Sequence, residues 1–185
     1  WVGWGVAITD IDLDGEPDIL VTNGHTDDNL AQLGREGDYQ QPPGLWRNLQ
    51  GQFEMVTADG EYFSKTHVGR GLVSCDFDND GDTDFAICHQ DGSPELLSNQ
   101  TVTTPGMKSV SLLLRSHRGS RRVAGATIIT TFRDNVRAIP VTSGGSYASS
   151  PDDRIILATD SSAEMSVRVR WCNSTAPEVI SLRGG

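Results

Sequence analysis

Cysteine, aromatic side chains and long apolar runs are all scarce in this sequence. Three cysteines (Cys75, Cys88 and Cys172) cannot form a disulfide framework. Two of them sit in strand-like apolar runs, where a free thiol acts as a small hydrophobe, so cysteine usage does not settle the redox compartment. Aromatics make up 6% and hydrophobic residues 36% of the 185 residues. That composition supports a modest core, in one ordinary domain or two small ones. No apolar run approaches the roughly 20 residues that span a bilayer. The first residues, WVGWGVAITD, lack a basic stretch and a cleavage signature, so no signal peptide is expected within the chain. Basic side chains are scarce in the first part: residues 1–103 hold 4, against 14 Asp and 5 Glu, a net charge of −15. That balance argues against nucleic acid as a partner, because phosphate contacts require Lys or Arg. Residues 104–185 reverse it, with 11 basic and 6 acidic side chains and a net charge of +5. The asymmetry divides the chain into two modules, 1–103 and 104–185.

Catalytic signatures are missing as well. There is no G-x-S-x-G elbow and no H-E-x-x-H helix. His25, His67, His89 and His117 show no metal-ligand spacing and are expected to be surface or packing residues. Ser143–Ser146 reads as a turn rather than a nucleophile site. The carboxylates crowd into single loops instead of facing one another across a cleft, which does not suit acid–base work. A non-enzymatic protein is the expectation.

What the sequence does contain is a repeat. Residues 3–21 (GWGVAITDIDLDGEPDILV) and 69–87 (GRGLVSCDFDNDGDTDFAI) align without a gap at an offset of 66 residues. Gly3, Gly5, Asp10, Asp12, Asp14, Gly15 and Asp18 recur as Gly69, Gly71, Asp76, Asp78, Asp80, Gly81 and Asp84. In each unit a short apolar run (Val6–Thr9 or Leu72–Cys75) enters an acidic loop, and another (Ile19–Thr22 or Phe85–Cys88) leaves it. Such runs are too short for helices and suit buried strands. Gly44–Asn48, Phe53–Val56 and Glu95–Ser98 are further strand candidates, and 27–43 reads as a long loop or insertion. About four short strands per unit fit a β-propeller blade, and two blades cannot close a ring. The expectation is therefore a partial propeller that belongs to a longer one or to an open assembly.

Each loop follows D-x-D-x-D-G-x-x-D. Alternate carboxylates in a tight turn converge on one point, and the glycine permits the bend. The candidate metal ligands are Asp10, Asp12, Asp14 and Asp18 in one loop and Asp76, Asp78, Asp80 and Asp84 in the other. Glu16 and Asp82, at loop position 7, would offer backbone carbonyls. An all-oxygen set suits Ca²⁺, with two sites expected; Mg²⁺ demands a stricter octahedron, and Zn²⁺ prefers Cys or His. An EF-hand needs a Glu at position 12, where Val21 and Ile87 stand, and flanking helices in place of strands. Unneutralised carboxylates this close repel, so a bound cation is expected to add to folding stability.

These loops, each preceded by G-x-G and followed by a strand, resemble the FG-GAP/VCBS repeats of Ca²⁺-binding β-propellers. Leu45-Trp46-Arg47-Asn48 followed by Gly51-Gln52-Phe53 is similar to that family's L-a-r-N…G-x-F strand pair, where a is aromatic, and Leu96-Leu97-Ser98-Asn99 is a weaker copy. The order of Leu112–Arg115, Arg118–Arg121, Gly125–Thr127, Ser143–Tyr147 and Val167–Trp171 resembles an ASPIC/UnbV domain. The chain departs from that family at Ile155–Thr159, so no role attached to that stretch carries over. The resemblance implies an extracellular, Ca²⁺-stabilised protein used for binding. Read from the residues alone, the second half is also all-β. Strand-like runs occupy Val110–Arg115, Thr127–Phe132, Val136–Val141, Arg154–Leu157 and Met165–Trp171, suited to a small sandwich or barrel.

Two lesser features complete the inventory. Arg118, Arg121 and Arg122, with Arg115, form a basic cluster that could contact an anionic glycan or phosphate, or pair with the acidic half. Asn99 and Asn173 head N-x-[ST] sequons and are candidate glycosylation sites. Together these features lead to an all-β, secreted adhesion or binding module with protein or glycan partners. The alternatives are a filament or surface-assembly subunit that borrows blades from its neighbours, and an accessory region of a larger secreted enzyme.

Overall fold

A computed structural model describes all residues except 58–59, 102, 104, 116–122, 133–134, 161–163, 173, 175 and 184–185. The described residues form thirteen strands in four antiparallel sheets, with no helix among them. In the first half these are β1 (Gly3–Thr9), β2 (Asp18–Asn23), β3 (Gly44–Leu49), β4 (Gln52–Val56), β5 (Gly69–Cys75), β6 (Asp84–His89) and β7 (Glu95–Leu97). The second half holds β8 (Met107–Leu113), β9 (Thr127–Phe132), β10 (Asn135–Pro140), β11 (Arg154–Asp160), β12 (Glu164–Arg170) and β13 (Glu178–Arg183).

The first sheet runs β1-β2-β3-β4 and the second β5-β6-β7, each an up-and-down meander like a propeller blade. Among the described residues the second blade has three strands where four were expected. After Asn99 the chain leaves for the C-terminal half instead of turning back. The repeat reaches the backbone itself. Both blades carry the same register shift in the first strand pair, between Gly3 and Val6 and between Gly69 and Leu72. Here the second glycine of G-x-G has a packing reason. A Cβ on Gly5 would lie 2.6 Å from the Arg70 carbonyl and 2.6 Å from the Leu72 Cβ, so only glycine lets the inner strands of the two blades approach. Beside it the Thr22 hydroxyl accepts from the Gly5 amide at 3.0 Å and donates to the Arg70 carbonyl at 3.0 Å. Between the blades lies one core of Ala7, Leu20, Tyr62, Leu72, Phe85 and Ile87.

The C-terminal half is a two-layer β domain. One sheet runs β10-β9-β12-β13, and β8 pairs with β11 as a two-stranded layer; neither closes into a barrel. Ile128, Met165, Val167 and Val169 of the larger sheet meet Leu157 of β11 in the main core. The alternation Val167-Arg168-Val169-Arg170 buries the valines and exposes the arginines, as a half-buried strand requires. Edge strand β13 had no expectation attached to it. Its Val179 is exposed and its apolar signal is weak.

The two halves meet at the acidic loops. Leu13, the fourth residue of the first loop, is buried with Met107 and Ala158 of β8 and β11. A cavity of about 650 Å³ lies between β1 and β5 on one side and the C-terminal sheets on the other. Its lining mixes apolar side chains such as Ile8 and Ile139 with Asp10, Asp76, Arg137 and Arg154.

Candidate metal centres

The two acidic loops fold alike because the same residues impose the same bends. Gly15 and Gly81, at loop position 6, have φ of 95° and 94°, a region that penalises a Cβ. Position 4 is left-handed in both loops as well, at Leu13 (φ 55°) and Asn79 (φ 62°). Asparagine tolerates that conformation; leucine accepts it in exchange for its burial against Met107.

The last carboxylate of each loop is a pin. Asp18 accepts hydrogen bonds from the Ile11 amide at 2.9 Å and the Asn48 amide at 2.9 Å. Asp84 repeats this with Phe77 at 3.1 Å and Asn99 at 2.8 Å, and is 0% exposed. Asn48 and Asn99 thus have one structural task, tying the end of the third strand to the loop. Their side chains differ. The Asn48 amide donates to the Pro17 carbonyl at 3.1 Å within its own blade, whereas Asn99 donates to the Ile11 carbonyl at 2.8 Å in the other blade.

Three carboxylates converge in each loop: Asp10, Asp12 and Asp18 in one, and Asp76, Asp78 and Asp84 in the other. Their ligand atoms lie within 4.8 Å of one another. Two oxygens that share an ion at about 2.4 Å can be at most about 4.8 Å apart, so the spacing suits a single hard cation. The fifth-position carboxylates stand outside these triads. Asp14 Oδ1 accepts the Glu16 amide at 2.8 Å, and Asp80 Oδ1 accepts the Asp82 amide at 3.1 Å. The Glu16 side chain points to Arg137, at 2.7 Å.

The loops differ in how far protein groups already satisfy them. Asp10 accepts from the Asp14 amide at 3.0 Å and the Gly15 amide at 2.9 Å, and the Arg47 guanidinium contacts Asp12 and lies 3.6 Å from Asp14. In the second loop Ser98 stands where Arg47 would be, and Asp76 Oδ1 and Asp82 Oδ1 are buried with no hydrogen-bond partner among the described residues. Asp76 is 3% exposed. A buried carboxylate oxygen without a donor is costly, and a metal ion is one way to satisfy it. The donor set therefore fits a cation, most plainly in the second loop.

Electrostatics point the same way. Burial pushes the Asp10 carboxyl up to about 7, opposed by its bond from Gly15 and reinforced by Asp14, Asp12 and Asp18. Burial also raises Asp82 to about 7, with Asp80 next in effect. Asp12, Asp18 and Asp84 are raised too, in each case chiefly by burial.

Arg137 and Arg154 were not foreseen as site residues. Arg154 of β11 bonds Asp152 at 2.6 Å, Asn79 at 2.7 Å and the Asp76 carbonyl, and lies 3.7 Å from the Asp76 carboxylate. With Arg137 it brings the positive second half onto the acidic first half. A charge-asymmetry argument anticipates such pairing but cannot say which arginines make it. Arg118, Arg121, Arg122 and Asn173 lie outside the described residues. The side-chain nitrogen of Asn99, which would carry a glycan, is engaged by Ile11 in a 9% exposed residue. His67 and His89 pack as expected, with His67 stacked on Tyr62 at 4.2 Å and on His89 at 5.0 Å.

These features define an all-β protein with two repeated, partly buried, all-oxygen acidic loops able to hold a metal ion. No family model matches the chain, and no curated protein matches it.

Proposed function

We propose that this chain is a Ca²⁺-stabilised, extracellular, non-catalytic binding or adhesion module, with one Ca²⁺ in each acidic loop. The observation that carries the reading is the partnerless, buried Asp76 Oδ1 in a loop where Asp78 and Asp84 converge, on a geometry duplicated at Asp10, Asp12 and Asp18. When bound, the ion supplies positive charge that offsets the crowded carboxylates and braces the turn. The three carboxylates, the carbonyl at Glu16 or Asp82 and water are the groups of this chain able to complete a set of 6–8 oxygens. Mg²⁺ is less suited, because it demands a stricter octahedron and gives up its waters reluctantly. The extracellular assignment is supported by the match between weak all-oxygen loops and millimolar extracellular Ca²⁺, and by the likeness to FG-GAP/VCBS and ASPIC/UnbV sequences. Partners in this reading are proteins or acidic glycans, with Arg118, Arg121 and Arg122 as candidate anionic contacts and Asn173 as the remaining sequon for glycosylation.

Calorimetric titration of the folded chain tests the ion. Two Ca²⁺ sites with dissociation constants of about 10⁻⁴–10⁻³ M, and weaker Mg²⁺ binding, are the expected result. A folded chain that takes up no Ca²⁺ at millimolar concentration overturns the reading.

A further inference from the structure

The repeat allows the two blades to be compared position by position, and they bury their apolar residues unequally. On the first blade Ala7, Leu20 and Leu45 face the second blade and enter the shared core. The opposite face carries a row that crosses all four strands: Ile8 pairs with Ile19, Ile19 with Trp46, and Trp46 with Met55. Directly paired residues project to the same side of a sheet, so these four form one surface, with Val6 paired to Val21 beside them. Ile8 is 67% and Met55 55% exposed, and the exposed Trp1 ring packs edge-on against Trp46 with centroids 6.5 Å apart.

At the offset of 66, Val6, Ile19 and Val21 correspond to Leu72, Phe85 and Ile87. Those three are buried in the second blade, and what covers them is the Ala7–Leu20 face of the first blade. The same face is thus buried in one blade and only half-buried in the other, where Ile8 and Met55 stand exposed. The converse holds for the covering face. Ala7, Leu20 and Leu45 correspond in the second blade to Val73, Ala86 and Leu96, and there Leu96 is 67% exposed. The chain carries both surfaces of a contact that it makes once internally, and it leaves one of each uncovered.

We propose that the Ile8–Ile19–Trp46–Met55 face binds the Ala86–Leu96 face of a second copy of this chain, head to tail, in continuation of the internal blade–blade contact. A second copy is the occupant because the complementary face stands on the same molecule, and the internal contact shows that faces of these two kinds fit. Gly71, at the inner end of the covering face, already lies against Ser149 and Tyr147 of the C-terminal half. The contact therefore lies on β6 and β7 of one copy, clear of Gly71, and on the β1–β4 face of the next. Its two sides differ, so it propagates: a ring results if the rotation per copy closes, and a filament if it does not. Like charge on the acidic halves opposes the approach, so association strengthens as salt screens it. The inference rests on the repeat and on burial, and not on which ion fills the loops.

Sedimentation velocity from micromolar to submillimolar chain, at moderate salt and with Ca²⁺ present, tests it with Ile8→Lys and Leu96→Lys. Both positions are exposed, and each variant is first checked for wild-type circular dichroism and thermal midpoint; Met55→Lys and Ala86→Ser replace any variant that fails that check. The wild-type chain is expected to associate with concentration beyond a dimer. Each variant alone should be monomeric, and an equimolar mixture of the two should stop at a dimer, since each retains one competent face. A monomeric wild-type chain overturns the proposal and assigns the open face to some other partner. Variants that associate like wild type, or a mixture that forms no dimer, overturn it equally.

Discussion

Replacing Asp76 with asparagine separates a bound cation from an ordinary acidic turn, because the two cases predict opposite responses of stability. In the metal-free protein Asp76 Oδ1 is buried without a donor. Removing its charge relieves a desolvated carboxylate at the cost of a long contact to Arg154, 3.7 Å away, which keeps Asp152 and Asn79 as partners. Such a contact, on an arginine 31% exposed, contributes about 0–1 kcal/mol. The metal-free variant should therefore be as stable as wild type to within about 1 kcal/mol, or more stable. With Ca²⁺ at about 100 times its dissociation constant, one site stabilises the folded chain by about 2.7 kcal/mol. For a chain of this size that corresponds to roughly 5–11 °C in Tm.

The assay is differential scanning calorimetry of both proteins with excess chelator and with excess Ca²⁺. Wild type should gain two sites' worth of stabilisation and Asp76→Asn about one, with nearly equal midpoints in chelator. Equal Ca²⁺ increments in the two proteins refute the reasoning. So does a loss of about 2–3 kcal/mol in chelator, which would make Asp76 an ordinary structural carboxylate.

Three further outcomes follow from named contacts. Asp10 and Asp82 are held at about 7 when folded, against an ordinary value of 3.8, so the folded metal-free chain binds protons that the unfolded chain has released. Its stability should fall as pH rises from about 4 to about 7 and then level off, while Ca²⁺ affinity rises over about pH 5–8 with proton release, readable by titration in buffers of different ionisation enthalpy. Asn99→Ala removes the bond to the Ile11 carbonyl and should cost about 1–3 kcal/mol in chemical denaturation. Because that nitrogen is engaged, Asn99 should also remain unmodified when the chain is secreted from eukaryotic cells, as intact mass will report. Leu13→Ala empties the small core with Met107 and Ala158 and should cost about 2–4 kcal/mol, a value foreign to a solvent-exposed loop residue.

Much of this arrangement was readable before any coordinates. Twelve of the thirteen strands coincide with expected apolar runs, because each is a short run and most carry β-branched residues next to Gly, Asp or Asn. The acidic loops were legible because ligand spacing in a turn is local: Asp10 to Asp18 lie within nine residues, and the glycine that bends them is among them. Long-range facts were not legible. Leu13 looks, like Ile11, to be an apolar spacer in a polar loop until β8 and β11 are brought against it. Arg137 and Arg154 are unremarkable strand arginines until the sheets place them beside Glu16 and Asp76. Periodicity within one strand carries no information about which sheet that strand will meet.

The same contacts make each loop a junction as well as a ligand set. The first loop touches the second blade through the Ile11 carbonyl, the C-terminal core through Leu13 and β10 through Glu16. The second loop meets β11 through Asp76 and Asn79, and it approaches β8 so closely that a Cβ on Gly81 would lie 2.4 Å from the Ser109 hydroxyl. A loop that loses its ion regains the mutual repulsion of its carboxylates, and the first groups to yield are those held only by the loop's shape. Chelation should therefore raise amide exchange not only in residues 10–18 and 76–84 but also along β8 and β11, while β9 and β12, buried in the main core, stay protected. Hydrogen exchange with mass readout, with and without Ca²⁺, measures this directly. Protection lost in the loops alone would show that the C-terminal half is held by its own contacts, and that the loops do not act as the joint between the two halves.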